Sequence, residues 1–395
     1  MTEARTPESA AGPSAAEPSP AGPSPAEPSP AEPRATASSA AESSLAVPEG
    51  APGETANVAA GPRRPRWSER STLLRHLVLG AATLVGVFLL SSVLDPYRDI
   101  QMANVAYLVC AAAGLSVLTG LSGQISLGQG AFMAVGAYTT ALLLQAGGWP
   151  LPVVLVVAVV LTALVGALVG AAAARLRGPY LAGATLAFAI GLPALADYRG
   201  LASSLGGQNG LVVLSPAAPA LLGDLSFERW QLAVTMISTV IALVLLANLI
   251  HSRYGRSWRA VRDDEVAAGL AGLPVARLQV IAFVVSAAGA GLAGALLAFV
   301  NGLAAPGAFP LTLSLQLLAA VVLGGLGTVP GAVYGSILLV FLPTWSADLA
   351  ARLDLSRDVY ANVPLAVYGA VLVLAMLVFP TGIQGGIHRL IRKFH

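Results

Sequence analysis

The chain has 395 residues, 56% of them hydrophobic and 11% charged, with a net charge of +2. A soluble domain carries roughly 25% charged residues, so this reads as an integral membrane protein, and so small a net charge gives no reason to invoke nucleic acid. The basic residues are nearly all arginine, Lys393 being the only lysine; a Walker A loop needs a lysine after its Gly-rich turn, so any ATP that drives this chain is hydrolysed by another subunit.

Residues 1–62 are rich in Ala, Pro, Ser, Glu and Gly, with a crude repeat, AEPSPAGPSPAEPSPAEP, from Ala16 to Pro33. Such a segment has too little apolar surface to offset its conformational entropy and is expected to be a disordered tail, either a plain spacer or an interaction tether. It lacks the basic start and apolar stretch of a secretory signal. The basic juxtamembrane segment 63–75, with Arg63, Arg64, Arg66, Arg70 and Arg75, places the tail in the cytoplasm.

A helix needs about 20 apolar residues to cross the hydrocarbon core. That length recurs near 76–94, 100–119, 124–146, 152–174, 180–197, 229–250, 278–300 and 361–379. The expected fold is therefore all-α, a polytopic helical membrane protein with about 8 full spans plus a broken or re-entrant helix pair. Its transmembrane domain covers 76–385 and is followed by a basic cytoplasmic C-terminus, 386–395. Cys110 lies inside a span, reads as a packing residue and excludes an intrachain disulfide, while His76, His251, His388 and His395 never pair at metal-ligand spacing. No metal and no catalytic residue is assigned.

Two stretches interrupt the apolar pattern. LTGLSGQISLGQGAFMAVGAY, from Leu118 to Tyr138, carries Gly123 and Gly128; the second, Leu313 to Leu342, carries GGLGTVPG with Gly324, Gly325, Gly327 and Gly331. Glycine and proline break helices where backbone must turn, and non-helical backbone at membrane depth survives only beside protein or a polar cavity. A single crossing over 313–342 would leave Arg389, Arg392 and Lys393 outside, whereas a re-entrant or double crossing ends the chain inside. Paired interruptions point to a pseudo-symmetric transporter with its path at the repeat interface; close helix packing by small residues explains the same glycines equally. The uncharged polar groups there, Gln124, Ser126, Gln129, Thr185 and Thr328, are candidates for the path, or for bonding the backbone freed by the breaks.

The external loop 198–228, with SSLGGQNGL, is long enough to meet a partner from outside or to be a solvated connector. Six crossings then bring the chain back inside at His251, so the charged island within 251–277 is cytoplasmic. From Gly255 to Gly272 it reads as one short helix, with Arg259, Arg262 and Glu265 spaced by three and with Ala267, Ala268, Ala271 and Gly272 forming a small-residue surface. Small residues admit a partner's groove, and guanidinium groups meet its carboxylates. An ordinary basic topogenic loop has the same composition.

Taken together, these motifs resemble the membrane-spanning permeases of bacterial branched-chain amino acid ABC transporters, of the type that pairs with a second permease. The matching residues are GLSGQISLGQGAFMAVGAYTTALL from Gly120, RLRGPYLAGATLAFA from Arg175, GGQNGL from Gly206, YGRSWRAVRDDEVAAGLAGLPVAR from Tyr254 and VVLGGLGTVPGAVYGSIL from Val321. The likeness spans about residues 75–385. It implies a bacterial cytoplasmic-membrane importer with both termini inside. Its partners would be a second homologous permease, two cytoplasmic ATPases that bind ATP and Mg, and an external solute-binding protein. It also implies that Arg259, Arg262, Glu265, Ala268 and Gly272 lie where this family couples to an ATPase. The family pattern usually has histidine at Gln129 and proline at Ala332, so no role requiring an imidazole at 129 carries over. Branched-chain amino acids are the implied solutes; related permeases serve urea, short amides and other amino acids. An ion-coupled carrier would bury ionisable relays in its spans, and Asp197 near a span end is the nearest candidate; the docking helix is what argues against a passive channel.

Overall fold

The computed structural model describes residues 68–93, 95–176, 179–219 and 225–352, with scattered positions between 366 and 386. The tail 1–62, residues 63–67 of the basic segment 63–75, most of the expected span 361–379 and nearly all of 386–395 lie outside the described residues. The helices are α1 (Ser68–Ser91), α2 (Pro96–Leu115, continued by a π turn over Ser116–Leu121), α3 (Gln129–Ala146), α4 (Leu151–Ala173), α5 (Pro179–Ala196) and α6 (Arg199–Leu205). They continue with α7 (Phe227–His251), α8 (Arg253–Asp263), α9 (Glu265–Leu270), α10 (Val275–Asn301), α11 (Leu311–Gly324) and α12 (Val329–Arg352). Among the described residues seven helices are long and apolar enough to cross a bilayer, or eight if the α5–α6 pair, bent by 74°, is one span.

Helix starts follow local chemistry. Proline stands in the first turn of α2 and α4, where its missing N–H costs nothing. Ser226 and Ser252 cap α7 and α8 by accepting from the backbone N–H of Arg229 and Tyr254. At the far end of α10, Gly302 adopts φ 67°, a conformation that only glycine enters without steric cost, and closes the helix.

The packed core is built around α2 and α10. Their backbones approach at Gly114, where an added Cβ would lie 2.9 Å from the Ser286 carbonyl oxygen. The α3 backbone meets α10 at Gly136 against Gly291 and at Gly294 against Met133, and α4 meets it at Gly170 against Phe283. Lipid offers no hydrophobic driving force between helices, so such small-residue contacts hold the bundle by van der Waals packing.

Three expectations need correction. The span foreseen over 124–146 begins as a helix only at Gln129; residues 122–128 are non-helical and climb from the end of α2 to mid-bundle. The Gly255–Gly272 segment is two helices, because Asp264 adopts an extended conformation (φ −159°) and caps α9 by accepting from the N–H groups of Val266 and Ala267. The stretch 324–331 is a tight turn between α11 and α12 rather than a break at membrane depth. It lies at the same end of the bundle as the charged segment, since Gly327 packs on Gly120 and its N–H donates to Ser116 Oγ over 3.0 Å.

The structural counterpart of the first break is residues 302–310, which lead from the end of α10 back to mid-bundle, where α11 starts beside α3. There the Gly130 N–H donates to Ser314 Oγ over 2.9 Å. α2 followed by a break and α3 is thus repeated, upside down, by α10 followed by a break and α11. At the opposite end of the bundle the described part of the 198–228 loop forms α6, a short 3₁₀ turn and a strand β1 (Leu211–Val212) paired antiparallel with β2 (Leu303–Ala304).

Candidate functional site

The first break and the charged segment form one joint. Backbone that leaves a helix at membrane depth must find hydrogen-bond partners from protein, and three hydroxyls supply them. Thr185 Oγ1 accepts from Leu127 N–H (3.1 Å), Ser126 Oγ from Gly128 N–H (3.3 Å) and Ser314 Oγ from Gly130 N–H. Gln129, fully buried at the start of α3, donates from Nε2 to the Ala111 carbonyl on α2 (2.9 Å) and accepts from Ser286 Oγ on α10 (3.2 Å). Ser286 lies 11 residues into the 27-residue α10, about 16 Å along a helix rising 1.5 Å per residue, so Gln129 sits near mid-depth and ties α3 to both central helices.

Of the polar residues proposed for the path, Ser126, Gln129 and Thr185 are therefore engaged with the bundle itself. Thr328 is set apart from them, donating to the Gly325 carbonyl and accepting from Gly331 N–H within the α11–α12 turn. Gln124 differs: it is 7% exposed, and its Oε1 has no hydrogen-bond partner. It lines a cavity of about 710 Å³ together with Gly123, Ile125, Leu181, Glu265, Val275 and Gln279.

The charged segment is fastened to this break. Arg262 donates from Nη1 to the Gly120 carbonyl over 2.7 Å, and from Nε and Nη2 to Asp263 Oδ1. Gly123, at φ 74°, leaves room for that side chain: a Cβ there would lie 2.8 Å from Arg262 Cγ. Arg259 donates to the Ile250 carbonyl, and Glu265 Oε1 accepts from Gln279 Nε2 over 2.6 Å. Trp258 is fully buried, donates from Nε1 to the Leu278 carbonyl and ties α8 to the first turns of α10. Ala268 faces inward, and Gly272 closes α9 at φ 82° with open space around it.

Arg259 and Arg262 are thus bonded to backbone of the bundle, Arg262 while its side chain stays 42% exposed. What α9 presents outward is apolar, Val266 at 72% and Leu270 at 86% exposure, a pair at i, i+4. The small-residue emphasis passed over these two, although their helical spacing stood in the sequence. It also passed over Asp99, which is 1% exposed in the first turn of α2 and lies 3.8 Å from Arg229 Nε at the opposite end of the bundle. Asp197, by contrast, accepts from Gln208 Nε2 at an exposed position. Among the described residues no group of three or more His, Cys, Asp or Glu is placed to hold a metal ion.

Residues 100–379, covering both breaks and the joint, match the family described as branched-chain amino acid transport system / permease component. The chain belongs to this permease family. It is 32% identical over 338 residues to the high-affinity branched-chain amino acid transport system permease protein LivM of Escherichia coli K12, covering 79% of this chain and 76% of LivM. Against BraD of Pseudomonas aeruginosa, likewise a branched-chain amino acid permease protein, identity is 26% over 69% of this chain and 90% of BraD. A fructose import permease protein, FruG of Bifidobacterium longum, is 30% identical over 62% of this chain and 73% of its own length. No solved structure matches. The permease is a multi-pass membrane protein, and its fold and family are those that the sequence motifs pointed to.

Proposed function

We propose that this permease forms half of the translocation path of an ATP-driven, binding-protein-dependent importer for branched-chain amino acids. A second homologous permease completes the path, two ATPases carrying ATP and Mg dock on its cytoplasmic face, and an external binding protein delivers the solute. The observation that carries the reading is the joint: α8 and α9 are bonded to the first break by Arg262 and to α10 by Trp258, while Val266 and Leu270 face outward. A partner that grips α9 moves the backbone of the break with it. Both ends of that lever are polar-bonded, and its outer surface is apolar, the composition that a protein partner covers.

The charged face is the cytoplasmic one on this reading. Arg175, Arg253, Arg256, Arg259, Arg262 and Arg277 lie at that end of the bundle, and Arg98, Arg199 and Arg229 at the other, the asymmetry of a bacterial cytoplasmic-membrane protein with its basic loops inside. Both termini are assigned to the cytoplasm on the same grounds. Aliphatic amino acids are favoured as solutes by the LivM and BraD relatives, and the likeness to the fructose permease keeps a different polar solute as the second reading.

Purification of the tagged chain from its own membranes in mild detergent, with co-purifying proteins identified by mass spectrometry, tests the proposal. A second permease and a P-loop ATPase are expected, and the binding protein recovered with them is then screened against leucine, isoleucine, valine, fructose and urea. A chain recovered alone, or only with itself, contradicts the importer and restores the carrier and channel readings.

A further inference from the structure

Helices α4 and α7 flank a groove whose floor is the contact between α2 and α10, with a volume of about 490 Å³. The floor is made of small residues because the two central backbones touch there: a Cβ at Gly289 would lie 2.9 Å from the Cys110 carbonyl oxygen and 3.2 Å from the Gly114 Cα. The rims are branched aliphatic side chains, among them Val160 of α4 and Ile241 and Leu245 of α7, which are 52%, 56% and 66% exposed. Only Cys110 and Ser238 in the lining carry a polar side-chain atom, and the Cys110 thiol already donates to Thr239. An occupant therefore finds van der Waals contact and almost no hydrogen bonding. A partner helix packs closely in lipid where small residues lie outermost. Here they lie behind branched rims, in a slot that admits a flexible hydrocarbon chain.

The groove ends in charge. Its last residue along α7 is Leu249, whose carbonyl accepts from both the N–H and the hydroxyl of Ser252, and Ser252 caps α8, whose first turn carries Arg253 and Arg256. Both arginines are exposed. Arg253 lies 5.3 Å from the ring centroid of the half-buried Tyr254, and a tyrosine at the end of a membrane span sits at the level of the lipid headgroups. Arg256 uses one N–H on the His251 carbonyl, over 3.4 Å, of the five that a guanidinium carries. The two ion pairs among the described residues, Arg229 with Asp99 and Arg262 with Asp263, involve neither of them. An aliphatic slot that runs into guanidinium groups without a carboxylate partner matches a molecule with a hydrocarbon chain and a phosphate.

We propose that the groove and this corner together bind an anionic phospholipid, with one acyl chain between α4 and α7 and the phosphate on Arg253 and Arg256. Lipid tails are as apolar as the side chains around them, so the chain supplies the fit and the phosphate supplies the selectivity. The bound phosphate holds the first turn of α8, and the last turn of α8 carries Arg262 on the Gly120 carbonyl, so the lipid steadies the joint. The cytoplasmic leaflet as its source rests on the orientation proposed above; the site itself does not.

The test is native mass spectrometry of the purified full chain, titrated in detergent with dioleoyl phosphatidylglycerol and dioleoyl phosphatidylcholine, which share their acyl chains and differ in headgroup charge. Saturable retention of one phosphatidylglycerol is expected, at least fivefold tighter than phosphatidylcholine. Arg253→Gln together with Arg256→Gln brings the two lipids within twofold of each other. Val160→Trp, which fills the slot from an exposed rim position, weakens phosphatidylglycerol binding at least threefold, and Arg199→Gln, at the opposite end of the bundle, leaves it unchanged. Size exclusion and thermal melting establish that each variant is folded. Equal retention of the two lipids by the wild type, a preference kept in the double arginine variant, or binding indifferent to Val160→Trp overturns the proposal. So does a lipid-free dimer that Val160→Trp dissociates, since the groove then belongs to a second copy of the chain. No partner subunit is needed, so failure here leaves the importer reading standing.

Discussion

Arg262 Nη1 and the carbonyl oxygen of Gly120 are 2.7 Å apart across 142 residues of sequence. The bond joins the charged segment to the last turn of α2, at the point where the chain leaves the helix for the first break. It gives the segment between α7 and α10 a direct hold on the backbone that precedes α3.

Replacing Arg262 with alanine is expected to cost only about 1 kcal/mol of stability, because the side chain is 42% exposed and a charged hydrogen bond at such a site is screened. Its effect on coupling is larger. In the reconstituted importer, ATP hydrolysis continues while uptake falls at least fivefold. Arg262→Lys recovers part of it, since an ammonium reaches Gly120 or Asp263 but lacks the fork that holds both.

Trp258 is the stability counterpart. Fully buried and bonded to Leu278, it is expected to lose about 3–5 kcal/mol on truncation to alanine. Trp258→Phe keeps most of the volume and leaves the Leu278 carbonyl short of a donor, for about 1–2 kcal/mol. Thermal unfolding of the purified chain, read as loss of monodisperse protein after heating, orders the three as wild type, Phe and Ala.

Gln129 and Gln124 separate scaffold from site. Gln129→Leu leaves the Ala111 carbonyl and the Ser286 hydroxyl unpaired in the core and is expected to destabilise by about 2–3 kcal/mol. Gln124→Leu removes no hydrogen bond that the protein makes with that side chain and replaces a buried, unpartnered amide oxygen, so melting is expected to stay at or above that of wild type while uptake changes. A melting loss in Gln124→Leu as large as that in Gln129→Leu would show both to be structural.

Gly123 is held at φ 74° with Arg262 against it. Gly123→Ala meets both the left-handed backbone, about 1–2 kcal/mol for an L-residue, and the Arg262 side chain. Lower uptake without loss of membrane insertion is the expected result. Gly147→Ala, at the far end of α3, carries the same backbone cost at φ 74° with nothing nearby to clash, and serves as the control measured beside it.

Much of this architecture is legible in the sequence because lipid imposes one dominant signal, about 20 apolar residues for each crossing. The charged island between α7 and α10 stands out for the same reason. The joint is less legible. Gln124 and Gln129 are the same residue type five positions apart, both buried, and only the packing of α2 and α10 decides that Gln129 is hydrogen-bonded on both sides while Gln124 Oε1 has no partner. The break at 302–310 was written in Gly302, Pro306 and Pro310, but its apolar composition let GGLGTVPG draw attention instead, and that stretch proved to be a surface turn. Asp264, directly ahead of Glu265, carried a helix-start signal that divides the segment in two, with Arg262 on one side bonded to the Gly120 carbonyl and Val266 and Leu270 on the other facing outward.

The most direct measurement of the account is site-specific photo-crosslinking in intact membranes, with a benzophenone side chain placed at Leu270 in one variant and at Val212 in another. Both positions are exposed, at 86% and 62%, and they lie at opposite ends of the bundle. The account predicts an adduct between position 270 and a P-loop ATPase subunit, and none from 212. No ATPase adduct at 270 in a membrane that still transports, or an equal yield from both positions, would contradict it.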